Sequence, residues 1–75
     1  MKLEQTYIYK QGRAWFVSTI NRASSVVGYP DVYAETMAWR IDPETNERFE
    51  MVKQGESSKD SLSAHDRIVL EIRAF

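Results

Sequence analysis

The sequence predicts a small α+β fold: a four-stranded antiparallel sheet made of two β-hairpins, with one C-terminal helix packed on one face. Three observations carry this expectation. Stretches rich in β-branched and aromatic residues flank two turn signals, Gln11-Gly12 and Asp42-Pro43. Apolar residues then recur at helical spacing toward residue 75. At 75 residues the chain makes one domain at most, spanning 1–75, with a single core and little apolar area to spare.

The first hairpin is expected over residues 4–20. Thr6, Tyr7, Ile8 and Tyr9 favour a strand, Gly12 supplies a positive φ for a two-residue turn, and residues 14–20 form the returning strand. That loop length sets Lys10 against Arg13, Ile8 against Trp15 and Tyr7 against Phe16. Strand alternation then puts Tyr7, Tyr9, Phe16 and Ile20 on one face and Ile8, Trp15 and Val17 on the other, so both faces are apolar.

Residues 21–31 are rich in turn formers and read as a connection. Within it the Tyr29–Pro30 bond is expected trans, and Val26-Val27 is expected to fold back onto the core. Residues 32–41 alternate as a long strand, with Tyr33, Glu35, Met37, Trp39 and Ile41 on one face and Ala34, Thr36, Ala38 and Arg40 on the other. A five-residue loop over residues 43–47 would pair Asp42 with Arg48, Ile41 with Phe49 and Trp39 with Met51, and this register assigns Trp39 and Met51 to the buried face. After a polar loop over residues 55–61, Leu62, His65, Ile68, Val69, Ile72 and Phe75 form a helical stripe, with Asp60 or Ser61 placed to cap its first turn. Ile68, Leu70 and Ile72 also alternate, so a fifth strand over residues 67–74 is the alternative.

Composition narrows the function classes. Ten basic and eleven acidic side chains leave a net charge of −1, and there is no cysteine, hence no disulfide framework, thiolate metal site or thiol nucleophile. Small secreted domains usually rely on such staples, so a cytoplasmic location is expected. Residues 1–5 turn polar at once and read as neither signal peptide nor anchor, and no apolar run approaches the roughly 20 residues that span a bilayer. No membrane role is expected.

Few residues invite chemistry. His65 is the lone histidine, a poor basis for a metal site, and it is expected at the edge of the helical stripe with one ring nitrogen hydrogen-bonded. Glu35 is the candidate buried acid: it shares a face with Tyr33, Met37 and Trp39, and a carboxylate there needs a cation such as Arg22, Arg13 or Lys53. Three scattered glycines give no phosphate loop, and the serines lack a nucleophile elbow. The expectation is therefore no catalytic residue, no cofactor, no metal and no small-molecule ligand.

One helix can cover only one face of the sheet, yet both faces of the first hairpin are apolar. Such surface marks an interface. The expected function is a non-catalytic protein-interaction module, of the accessory or inhibitor type found in bacteria and phages, docking on a protein partner or on itself as a homodimer. Its candidate interface is Ile8, Trp15 and Val17, with Lys10 and Arg13 at the rim. One alternative is a weak single-stranded nucleic-acid binder using Trp15, Lys10 and Arg13, since residues 1–30 carry net +3; residues 31–60 carry net −4, which makes nucleic acid an unfavoured partner. A further alternative is a small enzyme built on Glu35 or His65.

Overall fold

The computed structural model describes residues 2–23 and 32–75. Its elements are strands β1 (Lys2–Lys10), β2 (Arg13–Ala23), β3 (Val32–Ile41) and β4 (Arg48–Ser58), followed by helix α1 (Ser63–Ala74). The strands form one antiparallel sheet in the order β1-β2-β3-β4. The expected α+β fold is observed, and residues 67–74 are helix, not a fifth strand. The Tyr29–Pro30 bond and Val26-Val27 lie outside the described residues.

The first hairpin forms as its turn chemistry dictates. Gln11 and Gly12 both take positive φ, 52° and 76°, which is the two-residue turn whose twist matches that of the flanking strands. The pairs Lys10–Arg13, Ile8–Trp15 and Tyr7–Phe16 follow. A register shift next to Lys2 leaves Leu3 as an extra residue at the far end of β1.

The second hairpin departs from expectation at its closed end. Ile41 pairs with Arg48 and the loop holds six residues, because the Asp42 carboxylate accepts hydrogen bonds from the amides of Glu44 (2.8 Å) and Thr45 (3.1 Å) while the Asp42 amide donates to the Glu47 carbonyl (2.8 Å). Asp42 is thus occupied by its own loop and does not pair with Arg48. A register shift that leaves Phe49 as an extra residue restores the expected Trp39–Met51 pair, and a second, just beyond it, leaves Val52 extra.

Helix α1 lies on the face that carries Ile8, Trp15, Val17 and Ala38, and its residues Ile68, Val69 and Ile72 close a core with them. Each such side chain contributes about 1.5–3 kcal/mol by leaving water. Why this face and not the other follows from side-chain size. Ala34, Thr36, Ala38 and Gly55 line the covered side of β3 and β4, and small residues let a helix axis come close. At Gly55 a Cβ would stand 2.8 Å from the Arg67 guanidinium and 3.4 Å from the Ala64 Cβ. The assignment of Trp39 and Met51 to the buried face is therefore corrected: they sit on the uncovered side, half-buried and exposed respectively, opposite the small residues that admit α1.

The helix ends are tied to the sheet. Neither Asp60 nor Ser61 is the N-cap; Leu62 holds that position without a side-chain bond, and the orphan amides are met by Ser61 Oγ, which accepts from Ser63 N (3.2 Å), and by Ser57 Oγ on β4, which accepts from Ala64 N (2.9 Å). Asp60, with φ of 59°, instead accepts from the Asn21 amide at 2.6 Å. At the other end Lys10 Nζ donates to the Arg73 carbonyl (2.9 Å), a cation where the helix dipole is negative. On the flank Lys53 pairs with Glu71 at 2.8 Å.

Two substitutions separate the covered side from the open one. Trp15→Ala is expected to cost about 3–5 kcal/mol as a core truncation, and Gly55→Val about 1–3 kcal/mol as overpacking beneath α1. Trp39→Ala should cost less than Trp15→Ala, because its ring already faces water in part. Urea unfolding followed by circular dichroism checks the order.

Candidate interaction surface

The open face presents one cross-strand row of large side chains. Tyr7, Phe16, Trp39 and Met51 lie side by side on β1 to β4 because Tyr7 pairs with Phe16, Phe16 with Trp39, and Trp39 with Met51. The rings touch: Tyr7 and Phe16 are 4.8 Å apart and tilted, Phe16 and Trp39 5.9 Å apart and stacked. Arg48 lies over them, its guanidinium 4.3 Å from the Trp39 ring centre and 5.2 Å from that of Phe16. Phe16 is only 5% exposed although no helix covers it, since its neighbours tile over it, whereas Tyr7 and Met51 are 47% and 48% exposed. Beside this row Ala14, Phe16 and Ile41 form a second small core with Trp39 packed against it.

Polar groups flank the row. Toward the far ends of β2 and β3, Arg22 donates to the Glu35 carboxylate at 2.9 Å, and Glu35 is 8% exposed. The expected buried acid is thus present and takes Arg22, rather than Arg13 or Lys53, as its partner. Its hydrogen bond and charge hold the Arg22 guanidinium above its ordinary value. Glu56, the cross-strand neighbour of Glu35, is exposed.

The candidate interface read from the sequence is corrected. Ile8, Trp15 and Val17 are core residues under α1, buried by Ile68, Val69 and Ile72, so they present nothing to a partner. Lys10 is engaged at the end of α1, and Arg13 is exposed on the covered side next to Trp15. The same placement removes Trp15 and Lys10 as a stacking site for single strands. Apolar alternation marked both faces of the hairpin as sticky but could not say which one the helix would take. The signal that discriminates lies on β3 and β4, where Ala34, Thr36, Ala38 and Gly55 share one face. Arg48 was also missed: its sequence neighbours suggested an ion pair with Asp42, and only the six-residue loop frees it to lie on the rings.

His65 is more deeply placed than a stripe-edge residue. It is 2% exposed, and both ring nitrogens are bonded, Nε2 to Thr6 Oγ1 and Nδ1 to Thr19 Oγ1, each at 2.8 Å. Thr19 is bonded in turn to Thr36 on β3. A neutral imidazole donates from one ring nitrogen and accepts at the other, and the threonine hydroxyls can supply both complements. This chain fastens α1 to β1, β2 and β3. His65 and Glu35 lie on opposite sides of the sheet, so they do not form a paired site. Among the described residues, no group of three or more His, Asp and Glu side chains is arranged to hold a metal ion, and no helix is long and apolar enough to cross a membrane.

Comparison with protein families, curated proteins and solved structures finds no match for this chain.

Burial holds the His65 imidazole below its ordinary value, against partial opposition from the Glu4 and Asp66 carboxylates. The unfolded chain therefore binds the proton first, near pH 6.5, and the stability that is full above that pH falls as pH drops toward the lower folded-state value. The Lys53 hydrogen bond, with burial opposing it and charge from Lys53 and Arg67 adding to it, lowers Glu71, whose contribution is present above its unfolded value and is lost only further into acid. Between pH 6.5 and 5 the unfolding free energy from urea titrations should therefore fall, with a slope of up to about 1.4 kcal/mol per pH unit, and His65→Gln should flatten that part of the profile. An unchanged profile in the variant would show that His65 is not the group responsible.

Proposed function

We propose that the protein is a small, non-catalytic interaction module whose docking surface is the open sheet face, and that this face binds a second copy of the chain. The observation that carries the reading is the cross-strand row Tyr7, Phe16, Trp39 and Met51 with Arg48 laid over it, an aromatic, Met- and Arg-bearing patch of the composition found at interface centres. Four strands about 4.8 Å apart, and some eight residues along each, give a footprint near 500 Å² per copy, or about 1,000 Å² in total, the lower bound for a specific interface. A dimer of modest affinity fits that area.

Charge placement favours a copy over an unrelated protein. Arg48 stands at one end of the open side of β4 and Glu56 at the other, with Met51 and Gln54 between them. Two sheets packed face to face about a two-fold axis running across the strands bring Arg48 of each copy over Glu56 of the other, while Met37 of each meets the Trp39 row. The module acts in the cytoplasm by binding, not turnover, and an accessory or inhibitor role in a bacterium or phage fits such a small self-associating protein.

A second reading rests on the same rings. Aromatic side chains with an arginine on an antiparallel sheet are the general form of a single-strand stacking platform, here relocated from Trp15 to Tyr7 and Trp39. It ranks lower because both faces of the Phe16 ring are already occupied, Arg22 is taken by Glu35, and the chain carries net −1.

Sedimentation from low to several hundred micromolar should show a reversible monomer–dimer equilibrium for the unmodified protein. Trp39→Glu and Met51→Glu should each leave a folded monomer, as should Arg48→Glu, and Arg48→Glu combined with Glu56→Arg should regain the dimer. A monomer at the highest concentration rules out the second copy as occupant. Salt-dependent micromolar binding of oligonucleotides that is lost in Trp39→Glu would put the stacking reading first.

A further inference from the structure

The sheet outruns its helix. Twelve residues of α1 span about 18 Å, whereas the eleven residues of β2 or β4 span about 36 Å, so part of the covered side is left bare. There a cleft of about 310 Å³ opens between the sheet and the last turn of α1. The size is the lower limit for small-molecule sites.

Its walls are of two kinds. Trp15 and Val52 on the sheet, with Phe75 following α1, make an apolar floor and side, the Trp15 and Phe75 rings meeting edge to face at 6.3 Å. Arg13, Arg40 and Lys53 enter from β2, β3 and β4 and bring three positive charges against the single carboxylate of Glu50. Lys53 is neutralised by Glu71. Arg40 is opposite Glu50 in the ladder, yet no ion pair joins them; its guanidinium lies 5.7 Å from the Trp15 ring centre instead.

Arg40 Nε is buried and has no hydrogen-bond partner among the described residues. An oxyanion in the cleft would draw on the charge of Arg40 and Arg13, which both line it, and a flat apolar group attached to it would lie along the exposed Val52 and Phe75. We propose that this cleft is a binding site for a small organic oxyanion, an aryl carboxylate or aryl phosphate, held through Arg40 and Arg13 with its ring against Val52 and Phe75. The site is on the covered side of the sheet, so it stands or falls apart from the docking face.

The test is a titration of ¹⁵N-labelled protein at constant ionic strength with benzoate, phenyl phosphate, inorganic phosphate and the neutral analogue benzamide. The Arg40 Nε–H and Trp15 indole N–H resonances report the site, and the Trp39 indole N–H on the opposite face is the internal control. Saturable shifts of the first two at millimolar benzoate or phenyl phosphate are expected, with the Trp39 signal unmoved; whichever of the two binds tighter identifies the head group as carboxylate or phosphate. Inorganic phosphate and benzamide should bind at least about tenfold more weakly, as should either aryl anion to Arg40→Gln or Arg13→Gln, since each loss removes a charge-assisted contact. Absence of a saturable shift at about 20 mM of either aryl anion, some twentyfold above a millimolar dissociation constant, would overturn the proposal. So would benzamide or inorganic phosphate binding as well as the aryl anions, or unchanged affinity in both arginine variants.

Discussion

A single helix of twelve residues on a four-stranded sheet is the constraint from which the other features follow. It can bury one face, and only about half of the length of that face. The covered half becomes the main core around Trp15, Val17, Ile68 and Ile72. The uncovered face has to manage its own apolar area, and does so by cross-strand tiling that reduces Phe16 to 5% exposure without any second layer among the described residues. The uncovered end of the covered face becomes a cleft lined by arginines. Interface and cleft are thus two remainders of the same incomplete coverage.

The helix position is fixed less by apolar contact, which is non-directional, than by polar ties at defined points. His65 reaches three strands through Thr6, Thr19 and Thr36, Ser57 meets the first turn, and Lys10 meets the last. A buried network whose members are all satisfied selects one docking geometry, since sliding the helix by a residue would strand several donors and acceptors at once. Gly55 brings β4 into van der Waals range of Ala64 and Ile68 on α1. The cost is a dependence on a neutral imidazole.

Local chemistry explains where the two hairpins differ. Gln11-Gly12 closes the first with no freedom left, and all pairs from Lys10 to Glu4 follow in step. Asp42 folds the second loop around its own carboxylate, lengthening it by one residue; β4 absorbs that mismatch in the bulge at Phe49 and carries a second bulge at Val52. Those bulges turn Val52 toward the cleft and leave Arg48 free to lie across Phe16 and Trp39. A turn preference thus reaches as far as the surface available to a partner.

The sequence by itself determined what short-range physics decides. The Gln11-Gly12 turn, the first-hairpin register, the Trp39–Met51 pair, the apolar stripe of α1 and the need of Glu35 for a cation all follow from residue types at fixed spacing, and the structure shows each of them. Alternation could assign residues to two faces but carried no sign saying which face was inner. Residue size on β3 and β4 held that sign, but it takes effect only when α1 packs: the helix settles where Ala34, Thr36, Ala38 and Gly55 let it approach and where three threonines can satisfy His65. Hence Ile8, Trp15 and Val17, legible as apolar, became core, while Tyr7, Trp39 and Met51, equally legible, were left facing outward. The cleft with Arg40 was invisible for the same reason, because it exists only where the helix stops short of the sheet.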